Sequence, residues 1–273
     1  MKAARRQHFV ARFYLRNFAE PLFSDCLQVY TRRQKRWERR TPDGVGWFPH
    51  LVTMIDSAGG RTDEFDAFLK KNVEDPATPA LRKLAQAADL TDAERSSVAM
   101  FIALTAARQP DLLSQAAHDY VHSLEAGEKD ELEALTQIWC RSTAQPYGPD
   151  SLQQFIMPSR LGGLWIWAKS LHHRLLQWQW HVLETHRENP FVTSDWPVYA
   201  EKGKDNNVCV VSFPVSSELA LIIHNVPLRD GRDDREDVRA LNLQTMDRAS
   251  DFIACCRRSF PGDSFLSQWC CSR

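Results

Sequence analysis

Two residues near the start of the chain, His8 and Arg12, carry side chains suited to acid–base and anion-binding chemistry. An imidazole gains or loses a proton near neutral pH, and a guanidinium holds a phosphate or carboxylate through two parallel hydrogen bonds. Apolar residues recur at helical spacing over residues 7–18, so we predict a short helix there. The alternative is structural, with His8 hydrogen-bonded in a cap and Arg12 paired with a buried acid.

A second polar pair, Ser194 and Asp195, follows an apolar run that predicts a strand. Polar residues on loops beside a rigid scaffold often serve binding or catalysis. Equally, Ser-Asp shortly before Pro197 favours a turn in which both side chains bind nearby backbone N–H groups. We predict that Asp195 lies close to His8 and Arg12, because buried polar groups need partners and these three can satisfy one another.

A third pair, Glu74 and Arg108, lies at the ends of two predicted helices. One hypothesis makes them substrate-binding residues together with Ser194, with the guanidinium of Arg108 holding a phosphate. The alternative is a buried ion pair that ties the two helices together.

The run at residues 32–40, RRQKRWERR, is the most basic part of the chain and contains Trp37. Cations beside an aromatic ring suit single-stranded nucleic acid, so this run is a possible nucleic-acid contact. The alternative is the solvated tip of a β-hairpin, with Leu27–Thr31 as the first strand and Trp37 opening the second.

Composition bounds the remaining classes of protein. The chain has 273 residues, of which 43% are hydrophobic and 25% charged, as expected of a folded protein. We predict one domain over residues 1–273. The formal charge of −1 gives no global attraction to nucleic acid or to a membrane. No apolar run reaches the roughly 20 residues that a membrane-spanning helix needs.

Seven cysteines, an odd number that includes two adjacent pairs, do not resemble a disulfide framework or a CxxC metal site. We therefore predict reduced thiols and a cytoplasmic protein. His118 and His122 are spaced for a shared metal, but the pattern indicates no third ligand. We predict no metal site, and the cofactors are unknown.

The elements that must position these residues follow from periodicity. After the hairpin, residues 63–157 show helical spacing, with a capping box at Thr91–Glu94. Breaks are expected at Pro76, Pro79 and Pro110, and a short helix is expected over Ser151–Met157. From Leu175 onward the period becomes that of strands. We predict an α+β fold, mostly helical, with one antiparallel sheet built from the N-terminal hairpin and the C-terminal third.

Several motifs together resemble the uncharacterised family DUF4238. They are QHFVARFYLRNF, LQVYTR, FDAFLKKNVED, FIALTAARQP, PFVTSDWPV, VSFPVSSELAL and the pair Leu241-Asn242. The family's opening usually reads HxVPRxYL, and Ala11 stands here in place of its proline. That proline would begin the helix, so the resemblance implies that His8 lies just before the helix. The family often has Asn where this chain has Trp196.

The function hypothesis from the sequence is a cytoplasmic hydrolase, such as a nuclease or another phosphodiester-cleaving effector. In it, His8 is the general acid or base, Arg12 holds the phosphate, and Asp195 orients the imidazole or a metal. The alternative is a non-catalytic binding protein in which the same residues are structural.

Overall fold

The computed structural model describes residues 6–20, 26–56, 58–110, 122, 125–186, 188–203, 207–227 and 234–270. Its α-helices are α1 Arg12–Leu15, α2 Glu64–Leu69, α3 Asp75–Leu84, α4 Asp92–Ala107, α5 Ala126–Ser142, α6 Ser151–Gln177, α7 Asp234–Arg248 and α8 Leu266–Trp269. Short 3-10 turns cover Arg16–Phe18, Pro42–Gly44 and Asp263–Phe265, and a π-helical segment covers Lys70–Glu74. The strands are β1 Arg6–His8, β2 Leu27–Thr31, β3 Arg36–Arg40, β4 Trp47–Pro49, β5 Met54–Ile55, β6 Arg61–Thr62, β7 Gln179–Glu184, β8 Thr193–Ser194, β9 Tyr199–Lys202, β10 Val208–Pro214, β11 Leu219–His224 and β12 Phe252–Cys255.

The predicted α+β class is confirmed, and so is the sheet that joins the two ends of the chain. The hairpin β2–β3 extends through β12 to β8, giving the strand order β3-β2-β12-β8. Thr31 lies opposite Phe252 and Gln28 opposite Cys255, in antiparallel register. We call this four-stranded sheet the hairpin sheet.

We expected all strands of the C-terminal third to join the hairpin in one sheet. Only β8 and β12 do so. A second antiparallel sheet has the order β7-β11-β10-β9. The strand period was visible for β7, and β9 was not predicted; a period of two identifies a strand and not its partner. Two further ribbons of two strands each, β1–β4 and β5–β6, stand apart from both sheets.

The helical half differs from the prediction at its prolines. Pro76 is the second residue of α3, which follows the π-helical segment without a break, and Pro79 lies further inside that helix. The expected short helix from Ser151 is the 27-residue α6, which contains Pro158. Buried residues of α6 recur at helical spacing and pack with α4, so tertiary packing outweighs the helix-breaking residues. These buried residues are Ile156, Leu161, Leu164, Ala168, Leu171 and Leu175.

The helix predicted over residues 7–18 is wrong in its first half. Residues 6–8 form β1, which pairs with β4, and α1 begins only at Arg12. Ala11 has an extended backbone (φ −62°, ψ 135°) that a proline also adopts. His8 therefore precedes the helix, as the family pattern implied. The helix expected between residues 110 and 125 falls mostly outside the described residues.

The core joins the N-terminal helix to the helical half and the second sheet. Tyr14 stacks with Phe213 at 4.9 Å between ring centroids, and Phe13 contacts Phe101 of α4 at 5.1 Å. The largest buried cluster runs from Phe9 to Ala254. A smaller cluster lies around β12, α7 and α8. The single domain over residues 1–273 stays a prediction.

No helix in the described ranges is long and apolar enough to cross a membrane.

Candidate functional site

The ribbon β1–β4 positions His8. Its register places His8 opposite Trp47 and Gln7 opposite Phe48. Gln7 is buried, where its amide donates to Asp63 Oδ1 at 3.0 Å and accepts from the backbone N–H of Val52 at 2.7 Å. Because side chains alternate along a strand, His8 faces away from this buried anchor.

Arg12 and Asp43 adjoin His8. The Arg12 guanidinium donates to Asp43 Oδ1 at 2.6 Å, and both side chains are about half exposed, at 53% and 54%. Burial lowers the pKa of His8, Arg12 lowers it further, and Asp43 opposes both. The Nε2 atom of His8 is buried and has no hydrogen-bond partner among the described residues. We call His8, Arg12 and Asp43 the His8 cluster; it presents a neutral imidazole next to an exposed ion pair.

Arg108 and Glu74 form an ion pair behind this cluster. Arg108 follows the last residue of α4, is 2% exposed, and donates from Nη2 to Glu74 Oε1 at 3.0 Å. Its charge helps to lower the pKa of His8. Burial raises the pKa of the neighbouring Asp66, while Arg108 lowers it. The pair therefore ties α4 to the π-helical segment, which is the structural alternative, and the substrate-binding role of Glu74 and Arg108 stays a prediction.

Asp195 has different partners. Its carboxylate accepts the backbone N–H of Ser250 at 3.0 and 3.1 Å and that of Asp251 at 2.8 Å. Burial raises the pKa of Asp195 to about 7, although these backbone N–H groups act in the opposite direction. Among the described residues it forms no hydrogen bond or ion pair with His8 or Arg12.

Ser194 shows the turn chemistry that was the alternative for this motif. Its Oγ accepts the backbone N–H of Trp196 at 3.0 Å, and its side chain is fully buried. A direct contact with a substrate is therefore unsupported by its position. Ser194 and Asp195 both stabilise local backbone.

The opening motif and the TSD motif do meet, through residues that the sequence reasoning did not select. The hydroxyl of Tyr14 lies 2.8 Å from Thr193 Oγ1 and donates to the carbonyl of Pro214 at 2.8 Å. Thr193 therefore donates to Tyr14. This buried bridge joins α1 to one strand of each four-stranded sheet.

Sequence reasoning also missed Asp43 and Asn242 as organising residues. Asp43 lies in a Pro-Asp-Gly segment that reads as an irregular connection, and only the short β1–β4 pairing brings it beside His8. Asn242 is buried, where it accepts from Val192 N–H at 3.0 Å and donates to the carbonyls of Pro190 and Pro261 at 3.0 and 2.9 Å. Its place in a family motif was the available signal.

The basic run forms the expected hairpin but is partly neutralised. Glu38 accepts from Arg36 and from Arg40, each at 2.7 Å. The ring of Trp37 packs edge-on against Tyr30 and Phe260, at 5.4 and 6.2 Å. This ring therefore contributes to the smaller core cluster and offers less of a stacking surface than the sequence suggested.

The described part of the chain contains no group of three or more His, Cys, Asp or Glu side chains that could hold a metal ion. The six cysteines within it are free thiols, while Cys271 lies outside it.

A comparison with protein families gives a match over residues 6–259 to DUF4238, described as a protein of unknown function. The chain belongs to this family. The match contains the His8 cluster, the Arg108–Glu74 pair and the Asp195 turn, so all three belong to the DUF4238 region. A search of curated proteins found no match, and neither did a search of solved structures.

Proposed function

We propose that this DUF4238 protein is a hydrolase that binds a phosphate ester at the His8 cluster and cleaves it. The observation that supports this is the buried Nε2 of His8, which has no hydrogen-bond partner within the described ranges, beside the half-exposed guanidinium of Arg12. To hydrolyse a phosphate ester, a protein needs at least a group that accepts a proton from water and a group that binds the phosphate.

In this proposal His8 acts as the general base. Its pKa is lowered, so the imidazole is neutral at pH 7 and can take a proton from water. The water oxygen forms a bond to phosphorus as the bond to the leaving oxygen breaks, and the leaving group takes a proton from solvent. Arg12 holds the non-bridging oxygens, since only one of its five N–H donors is engaged by Asp43. Asp43 replaces Asp195 as the carboxylate beside the imidazole.

The test is hydrolysis of bis(p-nitrophenyl) phosphate and of single- and double-stranded RNA and DNA by the full chain. His8→Gln should lower kcat by about 100-fold or more, the usual effect of removing a general base. Arg82→Gln, an exposed arginine on α3, is the matched control and should leave kcat unchanged. The acid limb of kcat/KM should lie below the ordinary histidine pKa of about 6.5, because burial lowers the pKa of His8.

If the full chain cleaves none of these substrates, the hydrolase proposal is wrong. A His8→Gln variant that is as active as the unmodified protein would instead remove His8 from the chemistry.

A second candidate, a non-catalytic binding protein, is favoured by the partners of Asp195, Ser194 and Arg108, which act on backbone or on a neighbouring helix. On that view the His8 cluster also holds the β1–β4 ribbon to α1. His8→Gln would then lower the melting temperature, and neither the variant nor the unmodified protein would hydrolyse the substrates.

The finer parts of the sequence interpretation belong here as proposals. Free thiols at all six described cysteines support a reducing, cytoplasmic setting. Nucleic-acid contact through residues 32–40 is supported by their positive charge and weakened by the two arginines already bound to Glu38.

A further inference from the structure

A cavity separate from the His8 cluster lies between the β4–β5 segment and the first turns of α6. Its volume is about 290 Å³, and it is lined by residues of β4 and β5, by Arg61 of β6 and by α6. This volume is at the lower end of the ~300–1,000 Å³ range of small-molecule sites. We call it the β4–α6 cavity. Its size suits a small monomeric ligand.

Arg61 is held at the cavity by His50. The guanidinium Nη1 lies 3.0 Å from Nε2 of His50. Since a guanidinium has no acceptor, Nε2 must accept and the imidazole proton lies on Nδ1. That nitrogen faces Thr53 Oγ1 at 3.4 Å, and Thr53 donates to Asp63 Oδ1 at 3.4 Å. Asp63 also accepts from Gln7, so this chain of polar groups ends on the buried anchor of β1.

His50 also has an uncommon backbone conformation, with φ +52°. The left-handed region is disfavoured for a residue with a Cβ, and such residues cluster at ligand sites. Here the conformation turns the chain between β4 and β5 so that the imidazole meets Arg61. The backbone and the hydrogen bonds together fix one cation at the wall of the cavity.

The rest of the lining combines charge with an apolar wall. Arg160 supplies a second guanidinium and Asp150 one carboxylate, which leaves a net charge of about +1 with His50 neutral. Phe48 is 51% exposed although it lies at this wall, and Met157 adds a polarisable side chain to the lining. An exposed aromatic ring and two guanidinium groups in one lining suit a ligand with an apolar body and a single anionic group.

We propose that the β4–α6 cavity binds a small molecule that joins one phosphate or carboxylate group to an aromatic or apolar body. The guanidinium of Arg61, positioned by His50, binds the anionic group, and Phe48 packs against the body. This site is independent of the proposed hydrolysis at the His8 cluster.

The test is calorimetric titration of the full chain with phenyl phosphate, benzoate, inorganic phosphate and benzyl alcohol. Phenyl phosphate or benzoate should bind more tightly than inorganic phosphate and benzyl alcohol, because only the first two carry both chemical features. The compound that binds more tightly shows whether the anionic group is a phosphate or a carboxylate. If the chain binds neither phenyl phosphate nor benzoate, the proposal is wrong.

Arg61→Gln should weaken that binding about tenfold or more, the effect of losing a charge-assisted hydrogen bond. Arg61 is exposed, so the variant should fold, and an unchanged melting curve checks this. Phe48→Ser should weaken phenyl phosphate binding and leave inorganic phosphate unaffected. Arg82→Gln is the matched control and should bind as the unmodified protein does.

Arg12→Gln separates this site from the His8 cluster. The cavity proposal expects phenyl phosphate to bind this variant normally. If Arg12→Gln abolishes binding while Arg61→Gln leaves it intact, the anion binds at the His8 cluster and the cavity proposal is wrong.

Discussion

Asp195→Ala should destabilise the protein strongly without being a direct test of chemistry. Asp195 is 3% exposed, and its carboxylate is the acceptor for the backbone N–H groups of Ser250 and Asp251. A buried donor left without an acceptor costs about 1–3 kcal/mol. Two such donors give a loss of about 4 kcal/mol in the free energy of unfolding. For a chain of this size that lowers the melting temperature by about 8–16 °C.

Asp195→Asn is the matched control for this change. At pH 6 the Asp195 carboxyl is mostly protonated, because burial raises its pKa to about 7. An amide then has nearly the same shape, and its oxygen can accept the N–H groups of both Ser250 and Asp251. We expect a loss of about 1 kcal/mol or less, within the usual range for a nearly isosteric change.

The assay is urea unfolding at pH 6, followed by circular dichroism, together with hydrolysis measured below the unfolding transition. An Asp195→Ala variant with unchanged unfolding free energy would refute the reasoning. A folded Asp195→Asn variant without activity would return Asp195 to the catalytic site.

Three further predictions follow from described contacts. Between about pH 5 and pH 7, the unfolding free energy of the unmodified protein should fall by about 2 kcal/mol relative to that of Asp195→Asn. The reason is that the folded state keeps a proton on Asp195 that the unfolded state releases above about pH 4. If urea unfolding shows the same pH dependence for both proteins, this prediction is wrong. Arg108→Met should cost about 2–4 kcal/mol in urea unfolding, since it leaves a partly buried acid without its cation, and a loss below about 0.5 kcal/mol would show that the pair is dispensable. Replacing Arg33, Lys35 and Arg36 together by Ser should change the melting temperature little, because these side chains are exposed; if the hairpin binds nucleic acid, the same variant should lose salt-sensitive binding, and equal binding by both proteins would exclude the run.

The sequence predicted secondary structure correctly where a single short motif determines a single element. The capping box at Thr91 and Glu94 predicted the start of α4, and both of its hydrogen bonds are present. The hairpin β2–β3 followed from the strand pattern at Leu27–Thr31, a polar turn and Trp37 at the start of the return strand. In these cases the residues that decide the structure are neighbours along the chain.

The pairing of strands that are distant along the chain could not be predicted from the sequence. The three residues of β1 are too few to show a period, and they form a strand only because β4 supplies partners 40 positions away. For the same reason Asp43 could not be connected with His8 in advance. The helix predicted over Ser151–Met157 ended just before Pro158, whereas α6 continues through this proline because it packs with α4.

The candidate site was predicted in its parts and not in its assembly. His8 was selected with Arg12, and Arg108 with Glu74, and each pair adjoins in the structure. Asp195 was assigned to His8 because buried polar groups must find partners. That requirement is met by backbone N–H groups instead, and side-chain chemistry alone cannot distinguish the two kinds of partner.

The bridge from Tyr14 has a consequence for how the protein is made. Its two hydrogen-bond partners, Thr193 and Pro214, lie 179 and 200 positions further along the chain, and β2 forms its sheet with β12 only after β12 has been made. A ribosome adds about 5–20 residues per second, so α1 spends roughly 10–40 s outside the tunnel before its partners emerge. During this interval the apolar side of α1 has no native strand to cover it. The opening segment is therefore where a chaperone would first be needed, and a chain stopped before residue 214 lacks β11 and β12, which are inner strands of the two four-stranded sheets.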